Sequence, residues 1–475
     1  MSEFYTRIVS GILFPLHERL KHHDSARILP EMELSQWWPP QALQELQLER
    51  LRAFLTELSK RVPFYRNLFR EQDLQPGFFQ DFADLRRLPI TDKSLIRAQG
   101  DQWLADGVHN LINASTSGSS GEPLPFKLSR RRVSMDIAAK WRATRWWDVD
   151  IGDRELVIWA SAIETGNQDR LRALRDRILR SHLVPAHNMT AARMDAILAD
   201  IRRLRPRMLF GYPSALARLA WHAQDQGIQP TAASIRVAFT TSEVLQPQWR
   251  TIIGDVFGCG VANEYGARDA GLIARECPAG GLHLNAESLI VEVVDATGRP
   301  SPPGEVGDIL VTNLMGPEFP FLRYRTGDRG RLDDRPCDCG RSLPLLRELT
   351  GRSNDGLIAS EGHWIHASAF NAQVRALPGL RAYKIVQEQL DQVVLELVLD
   401  AELSAATRER LRIGFQQHLG TGTKVRLRRV ASIEAEANGK FRHVVCRVKQ
   451  VSGPAPASRN IPADQGAKGN TKSCL

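Results

Sequence analysis

The sequence predicts an α/β protein: a large N-terminal domain built from α/β subdomains and a β-rich subdomain, then a small α+β C-terminal domain. Three observations carry this. Between Arg154 and Gly266 short apolar runs alternate with amphipathic stretches, the pattern of a largely parallel sheet. The texture then changes to strand pairs around Gly/Pro-rich turns. A separate α+β unit follows Gly351–Arg352.

In chain order, the first part to about Gly100 is a helical leader, because "PQALQELQLERLRAFLTELSKRV" keeps apolar residues at helical spacing. "RELVIWAS", "RMLFG", "SIRVAFTT" and "VANEYG" are strands; "ARMDAILADIRRL", "PSALARLAWHAQDQG" and "PQWRTIIGDVFG" are helices, the last two opened by proline and closed by glycine. "ESLIVEVVDATGRPSPPGEVGDILVTNL" is two strands about a turn. The domains are expected at 1–352 and 353–451. In the second, a helix near Ala367–Ala376 precedes strands "RAYKIVQ" and "VVLELVLD", the helix "ATRERLRIGFQQHLG" and the strand "KVRLRRV". The small, polar, proline-rich segment 452–475 is expected to be disordered.

Composition limits the function classes. The chain has 475 residues, 43% apolar and 25% charged, enough for two or three domains with real cores. Lys+Arg is 63 against 54 Asp+Glu, a net charge of +9. The charges are interspersed, as in "DRLRALRDRILR", so this reads as a solvated helix face and not as a nucleic-acid surface. No apolar run approaches the roughly 18 residues of a membrane span. "IVSGILFPL" at Ile8–Leu16 lacks the basic leader and cleavage site of a signal peptide. Six cysteines in a chain of this size do not make a disulfide framework, which points to a reduced, cytoplasmic compartment.

"ASTSGSSGEPLPF" (Ala114–Phe126) concentrates hydroxyls and glycines. Successive N–H groups in such a turn form an anion-binding nest, with Ser and Thr hydroxyls as added donors, which suits a polyphosphate. It is not the P-loop of kinases and ATPases, because Glu122 and Pro123 follow Gly121 where Lys-Ser/Thr would stand. The alternative is a flexible linker.

Three further stretches complete an ordered set: "NEYGARDAG" (Asn263–Gly271), "FLRYRTGDRGRL" (Phe321–Leu332) and "LTGRSNDGLI" (Leu349–Ile358), with "NGKFRHVV" carrying Lys440. In this order the motifs resemble the adenylate-forming enzymes, the acyl-CoA synthetases, adenylation domains and relatives. "GYPSAL", "TSEVL", "CDCGRSLP" and the leader "VPFYRNLF…LRRLPITDKSLIR" resemble the phenylacetate–CoA ligase-like branch that includes capsule-polysaccharide biosynthesis proteins. The likeness covers about residues 34–449.

The resemblance implies an AMP-forming carboxylate ligase. A carboxylic acid attacks the α-phosphorus of ATP, pyrophosphate leaves, and the acyl-adenylate passes its acyl group to CoA or another acceptor. Thr116, Ser117, Gly118, Ser119, Ser120 and Gly121 would hold the β- and γ-phosphates. Tyr265 would stack on adenine, with Ser242, Glu243, Asn263, Glu264 and Gly266 along the base. Asp328 would accept from the ribose hydroxyls, the stronger, charge-assisted class of hydrogen bond. Arg352 would assist from the domain junction, with a hinge near 353–355. Lys440 would bridge the carboxylate and α-phosphate as a compact cation with three donors. Magnesium would sit at Asp269, where the family normally has Glu. Tyr212, Pro213, Ser214 and the strand near Phe239 would line the acyl pocket. Glu122 is a second departure, at a position where many relatives carry Lys. These two acids favour an alternative, a catalytically impaired nucleotide-binding protein with an assembly role.

Cys277, His283, Cys337 and Cys339 offer three thiolates and an imidazole, the donors of a closed structural zinc site. The alternative is four free side chains. In the resembled branch the same Cys/His/Cys/Cys pattern recurs.

Overall fold

The computed structural model describes residues 2–116, 123–159, 170–186, 189–230, 234–302, 304–352, 356–435 and 441–448. Ser117–Gly121 of the glycine/serine loop, Glu122, the proposed hinge at 353–355, Lys440 and the segment from 452 lie outside the described residues.

The leader is helical: Ser2–Ile8, a π turn Val9–Leu13, Phe14–Leu20, Ser25–Ser35, Pro40–Arg61, Pro63–Glu71 and Lys93–Gln99. Pro40 and Pro63 open their helices, where a missing N–H costs nothing. Asp92 caps the last of these by accepting from the Leu95 N–H at 2.8 Å. Leu43, Leu51, Phe54, Leu55 and Leu58 form the buried stripe of Pro40–Arg61.

The strands of the large domain are β1 (Ile112–Ser115), β2 (Pro125–Leu128), β3 (Glu155–Ile158), β4 (Ser181–Val184), β5 (Met208–Gly211), β6 (Val237–Thr241), β7 (Gly260–Ala267), β8 (Gly271–Glu276), β9 (Leu282–Leu284), β10 (Leu289–Val294), β11 (Gly307–Asn313), β12 (Tyr324–Asp333) and β13 (Leu345–Arg352). β1 and β2 form an antiparallel pair. The other eleven form one sheet in the order β10-β11-β12-β13-β9-β8-β7-β6-β5-β3-β4. From β4 to β7 the neighbours are parallel; from β7 onward they are antiparallel. The parallel region and the β-rich region read from the sequence are thus two halves of one sheet, joined through β7. The connection hidden from the sequence is the tight β7–β8 reversal.

Helices Pro213–Asp225 and Pro247–Phe257 lie at the expected places, and Leu216, Leu219, Trp249 and Ile253 bury one side of them against the parallel strands. Gly260 opens β7 because a Cβ there would stand 2.2 Å from Trp147 Cζ3.

The C-terminal domain holds β14 (Gly356–Ile358), β15 (Trp364–His366), β16 (Leu380–Gln389), β17 (Gln392–Leu399), β18 (Lys424–Arg429) and β19 (Val444–Cys446), with helices Ser368–Arg375 and Ala405–Leu419. Its four-stranded sheet runs β18-β17-β16-β19 over a core of Phe370, Tyr383, Ile385, Leu395 and Phe415.

A buried ion pair joins the helix Arg130–Arg145 to the segment before β10, and Ser35 of the leader bonds to it. Arg142 Nη1 lies 2.5 Å from Glu287 Oε1 and Nη2 donates to Asn285 Oδ1 at 2.7 Å, while Ser35 Oγ donates to the same Glu287 oxygen at 2.7 Å. Removing one partner strands a buried charge. Glu287→Ala is expected to cost about 3–5 kcal/mol in denaturant unfolding, whereas the paired replacement Arg142→Met/Glu287→Leu costs less than that single change.

Candidate active site

Parallel strands that end at one edge leave a crevice beyond their C-terminal ends. Here β5, β6 and β7 end together, and the sequence-derived motifs follow them. Tyr212 precedes the helix Pro213–Asp225; it is buried and its ring stacks on Trp159 with centroids 4.5 Å apart. Ser214 stands in the first turn of that helix and its N–H donates to Glu243 Oε2 at 3.2 Å. After β6, Ser242 adopts a left-handed φ of 70°, which turns the chain so that Glu243 faces this helix start. The other Glu243 oxygen accepts from the Phe441 N–H at 2.6 Å. Glu243 was expected along a base edge; its carboxylate instead joins a helix N-terminus of the large domain to the segment beside Lys440.

β7 carries Asn263, Glu264, Tyr265 and Gly266. The Asn263 N–H donates to Glu276 Oε2 at 2.7 Å. Glu264, expected along the base edge, pairs its carboxylate with the buried Arg275. Gly266 sits at a register shift, where a Cβ would meet the Gly271 carbonyl at 3.2 Å. The Tyr265 ring is expected to stack on adenine. It is packed in the main core, and its hydroxyl donates to Asp328 Oδ2 at 2.9 Å. Burial, then the Asp328 charge, hold this phenol well above its ordinary range, so it stays a donor. Asp328 lies opposite Arg352 in the β12–β13 register, so the sheet brings these two together. On the strand expected near the acyl pocket, the Phe239 side chain is fully buried between Trp147 and Arg275.

Asp269 sits in the β7–β8 reversal, only 5% exposed. The Tyr324 hydroxyl donates to its Oδ2 at 2.6 Å, Lys93 Nζ lies 3.9 Å from the same oxygen, and Oδ1 accepts from the Ala270 N–H at 3.1 Å. The buried Arg132 guanidinium donates to the carbonyls of Arg268 and Asp269. Arg132 carries no local motif; Lys93 and Tyr324 lie within "LRRLPITDKSLIR" and "FLRYRTGDRGRL", yet sequence reasoning gave none of the three a place at Asp269. At the foot of the glycine/serine loop, the Thr116 N–H donates to the Leu124 carbonyl at 3.0 Å and the Thr116 hydroxyl accepts from the Leu124 N–H at 2.9 Å, so Thr116 clamps the loop base.

The two domains meet over this edge. Arg381 pairs with Asp225 at 2.7 and 3.0 Å, and Trp249 Nε1 donates to the Arg381 carbonyl at 2.9 Å. A cavity of about 290 Å³ lies between them, lined by Met194, Ser214, Arg218, Trp221, Trp249 and Phe441 among others. His443 lies beside it, stacked on Tyr383 with centroids 4.5 Å apart. Its Nδ1–H donates to the Tyr383 carbonyl at 3.2 Å and its Nε2 accepts from Gln246 Nε2 at 3.2 Å, the neutral form. Burial pushes its pKa down to about 3.

A second constellation lies in the antiparallel half. Cys277 Sγ is 3.6 Å from Cys337 Sγ and His283 Nε2 is 3.2 Å from Cys339 Sγ; all four donor atoms lie within 4.8 Å of one another. The sulfur separation is far beyond a disulfide bond and suits donors around one tetrahedral ion. His283 Nδ1 faces the Leu343 carbonyl at 3.2 Å, which turns Nε2 toward the cluster. Burial pushes the Cys277 thiol up to about 12, so a thiolate there needs a cation beside it.

The family described as AMP-binding enzyme matches residues 116–315, and the CapK C-terminal domain matches residues 357–447. The chain is 27% identical over 450 residues to a phenylacetate–coenzyme A ligase of Thermus thermophilus, covering 88% of this chain and 98% of that one. It is 23% identical over 410 residues to protein CapK of Staphylococcus aureus, covering 85% and 89%. Among solved structures, 2-hydroxyisobutyryl-CoA ligase in its postadenylation state, in complex with R3-HIB-AMP, aligns with a TM-score of 0.68 at 20% identity, covering 86% and 90%.

Two outcomes follow from the interdomain contacts. Glu243→Ala is expected to loosen the domain arrangement, read as a larger radius of gyration in small-angle X-ray scattering, with Glu243→Gln intermediate; an unchanged radius rejects the clasp. For His443, the unfolded pKa near 6.5 exceeds the folded value of about 3, so the unfolded chain binds more protons between these pH values. Its contribution is therefore full above pH 6.5 and is lost as pH falls toward 3. Urea unfolding from pH 6.5 to 4 is expected to fall by up to about 1 kcal/mol per pH unit more in the wild type than in His443→Gln.

Proposed function

The chain belongs to the adenylate-forming enzymes, in their phenylacetate–CoA ligase-like branch, and from that premise we propose how its own residues run the reaction of an AMP-forming, acyl-CoA ligase-like enzyme. A carboxylate oxygen of the substrate acid attacks the α-phosphorus of ATP, the bond to the bridging oxygen breaks, and pyrophosphate leaves. The acyl-adenylate then gives its acyl group to the thiol of CoA: the thiolate sulfur bonds to the carbonyl carbon and AMP departs.

One observation carries this assignment. Glu243, at the crevice edge of the parallel strands, holds the Phe441 N–H and so fixes the residue next to Lys440 over that edge. Lys440 is the cation assigned to the meeting point of two anionic reactants, where a preplaced charge lowers the barrier most. Asp328, steadied by the Tyr265 hydroxyl and facing Arg352 across the β-ladder, is assigned to the ribose hydroxyls. Ser117, Gly118, Ser119, Ser120 and Gly121 are assigned to the β- and γ-phosphates, on a loop whose base Thr116 closes.

Asp269 suits a magnesium ligand through Oδ1, whose only hydrogen bond among the described residues is to the next main-chain N–H. Bound there with ATP, magnesium would neutralise phosphate charge. Lys93 and Tyr324 hold the opposite oxygen, which compensates for an Asp one methylene shorter than Glu. Zinc suits the Cys277, His283, Cys337 and Cys339 donors and would pin the β8–β9 turn to the 337–345 segment. Reduced thiols at that site fit a cytoplasmic setting. The comparisons lend no support to the catalytically impaired alternative.

ATP–pyrophosphate exchange with a panel of aryl and short acyl acids tests the reading. At least one acid is expected to support exchange, and Lys440→Ala to abolish it while ATP still binds. Exchange with no acid, or exchange undiminished in Lys440→Ala, rejects it. Purified protein is expected to carry one zinc per chain, and Cys339→Ser to lose that zinc with a lower Tm.

A further inference from the structure

The helical run from Ser2 to Leu20 presents an apolar stripe to solvent. Phe4 is 71% exposed, Ile12 61%, Leu16 51% and Leu20 73%, with Ile8 partly exposed among them. They recur every fourth residue. In a plain α-helix that spacing drifts by about 40° at each step, and the stripe would wind halfway round the helix. The π turn at Val9–Leu13 takes in more residues per turn and cancels much of the drift, so the five side chains stay on one side.

The opposite side is firmly seated. Thr6 Oγ1 donates to Asp153 Oδ1 at 2.9 Å, Val9 is fully buried and Phe14 packs edge-on against Trp141. The buried Glu18 accepts from Ser25 Oγ at 2.5 Å and faces His17 and His23 at 3.0 and 3.2 Å. The exposed stripe is therefore a fixed surface of a packed element.

Charge decides what covers it. Arg7, Arg19 and Lys21 are exposed along this run, against Glu3 as the exposed acid between Ser2 and His23. The helix Arg170–Leu179 packs alongside through Tyr5, whose hydroxyl donates to the Ile178 carbonyl at 3.0 Å; it adds the exposed Leu174 and Arg177. Two-fold antiparallel pairing of the stripe about Ile12 would oppose Lys21 to Glu3 but leave Arg7 and Arg19 of each copy facing His17 and Tyr5 of its mate, with no acid opposite them. The segment 452–475 offers only Ile461 and Leu475 as large aliphatic residues, too few to cover the stripe. A fixed apolar stripe flanked by cations is the form that lies in the headgroup layer of a bilayer.

The geometry points to peripheral membrane attachment: Phe4, Ile8, Ile12, Leu16 and Leu20 enter the interface of a bilayer bearing anionic headgroups, and Arg7, Arg19 and Lys21 meet those headgroups. The chain does not cross it; among the described residues no helix is long and apolar enough to span. This surface lies apart from the crevice and needs nothing from the reaction assigned there.

Vesicle flotation with the full chain tests it, using vesicles of phosphatidylglycerol and phosphatidylcholine against phosphatidylcholine alone. The protein is expected to float with the anionic vesicles, less so at high salt. Ile12→Glu/Leu16→Glu is expected to weaken partitioning about tenfold or more, and Arg7→Glu/Arg19→Glu to remove the preference for anionic lipid. Circular dichroism and thermal unfolding of both variants should match the wild type, because all four side chains are exposed. Absence of flotation, or equal flotation of the stripe variant, overturns the proposal. So does a fall in solution mass of that variant by light scattering without loss of lipid binding, which would make the stripe a contact between copies.

Discussion

β7 answers to two neighbours of opposite sense. Its main chain pairs parallel with β6 on one edge and antiparallel with β8 on the other. Parallel pairing obliges β5, β6 and β7 to end on the same side, because each crossover returns the chain to the same start. Antiparallel pairing with β8 then turns the chain back at that very side, through Asp269. The loops bearing Ser214, Glu243 and Asp269 therefore share one edge, and β12 returns through the sheet to set Asp328 against Tyr265. Were β8 also parallel, a crossover helix would stand where Asp269 and Tyr324 meet.

A site proposed for a triphosphate should not expose unpaired acids, yet this edge carries Glu243, Glu264, Asp269 and Asp328. The fold resolves the conflict by pairing each. Glu243 holds two main-chain N–H groups, Glu264 has the buried Arg275, Asp269 has Tyr324 and Lys93, and Asp328 has the Tyr265 hydroxyl. Carboxylates held this way position other groups with much of their charge balanced locally. The same logic explains how an Asp at 269 sits comfortably: Arg132 fixes the backbone carbonyls while Tyr324 fixes the side chain.

Much of this was legible in the sequence, and the parts that were not share a physical cause. Pro213 and Pro247 announced their helices, because proline at a first helical position acts locally. The motif order brought Asn263–Gly266, Asp328 and Arg352 together, and the Cys and His residues converge as their donor chemistry suggested. Side-chain direction was not legible. Glu243 turns to a helix start because of the left-handed Ser242, and Glu264 turns to Arg275 because that arginine is buried eleven residues on. Tyr265 read as a stacking partner for adenine and the strand near Phe239 as a pocket wall, while both side chains supply core volume. Lys93, Arg132 and Tyr324 reach Asp269 from three distant segments; two of them lie in recognisable motifs, but nothing in a motif says that these side chains meet. The single sheet was equally hidden, since pairing partners such as β9 and β13 are far apart in sequence.

The contacts between the domains differ in kind from those within them. The C-terminal core is a continuous apolar cluster, whereas the seam combines the polar contacts Glu243–Phe441, Asp225–Arg381, Gln246–His443 and the Trp249 N–H with a small aromatic contact of Trp249 on Phe441 and His443. Hydrogen bonds and partly exposed ion pairs exchange with water at little net cost, so a seam in which they carry most contacts and only one aromatic cluster is shared can part and reform more readily than either core. That suits the proposed two-stage reaction, in which the group beside Phe441 would act in the first stage and withdraw for the second. The stripe-bearing helices take no part in the seam: their anchors at Asp153, Trp141 and Ile178 all belong to the large domain. A bilayer bound there would hold the large domain still and leave the small one free to turn.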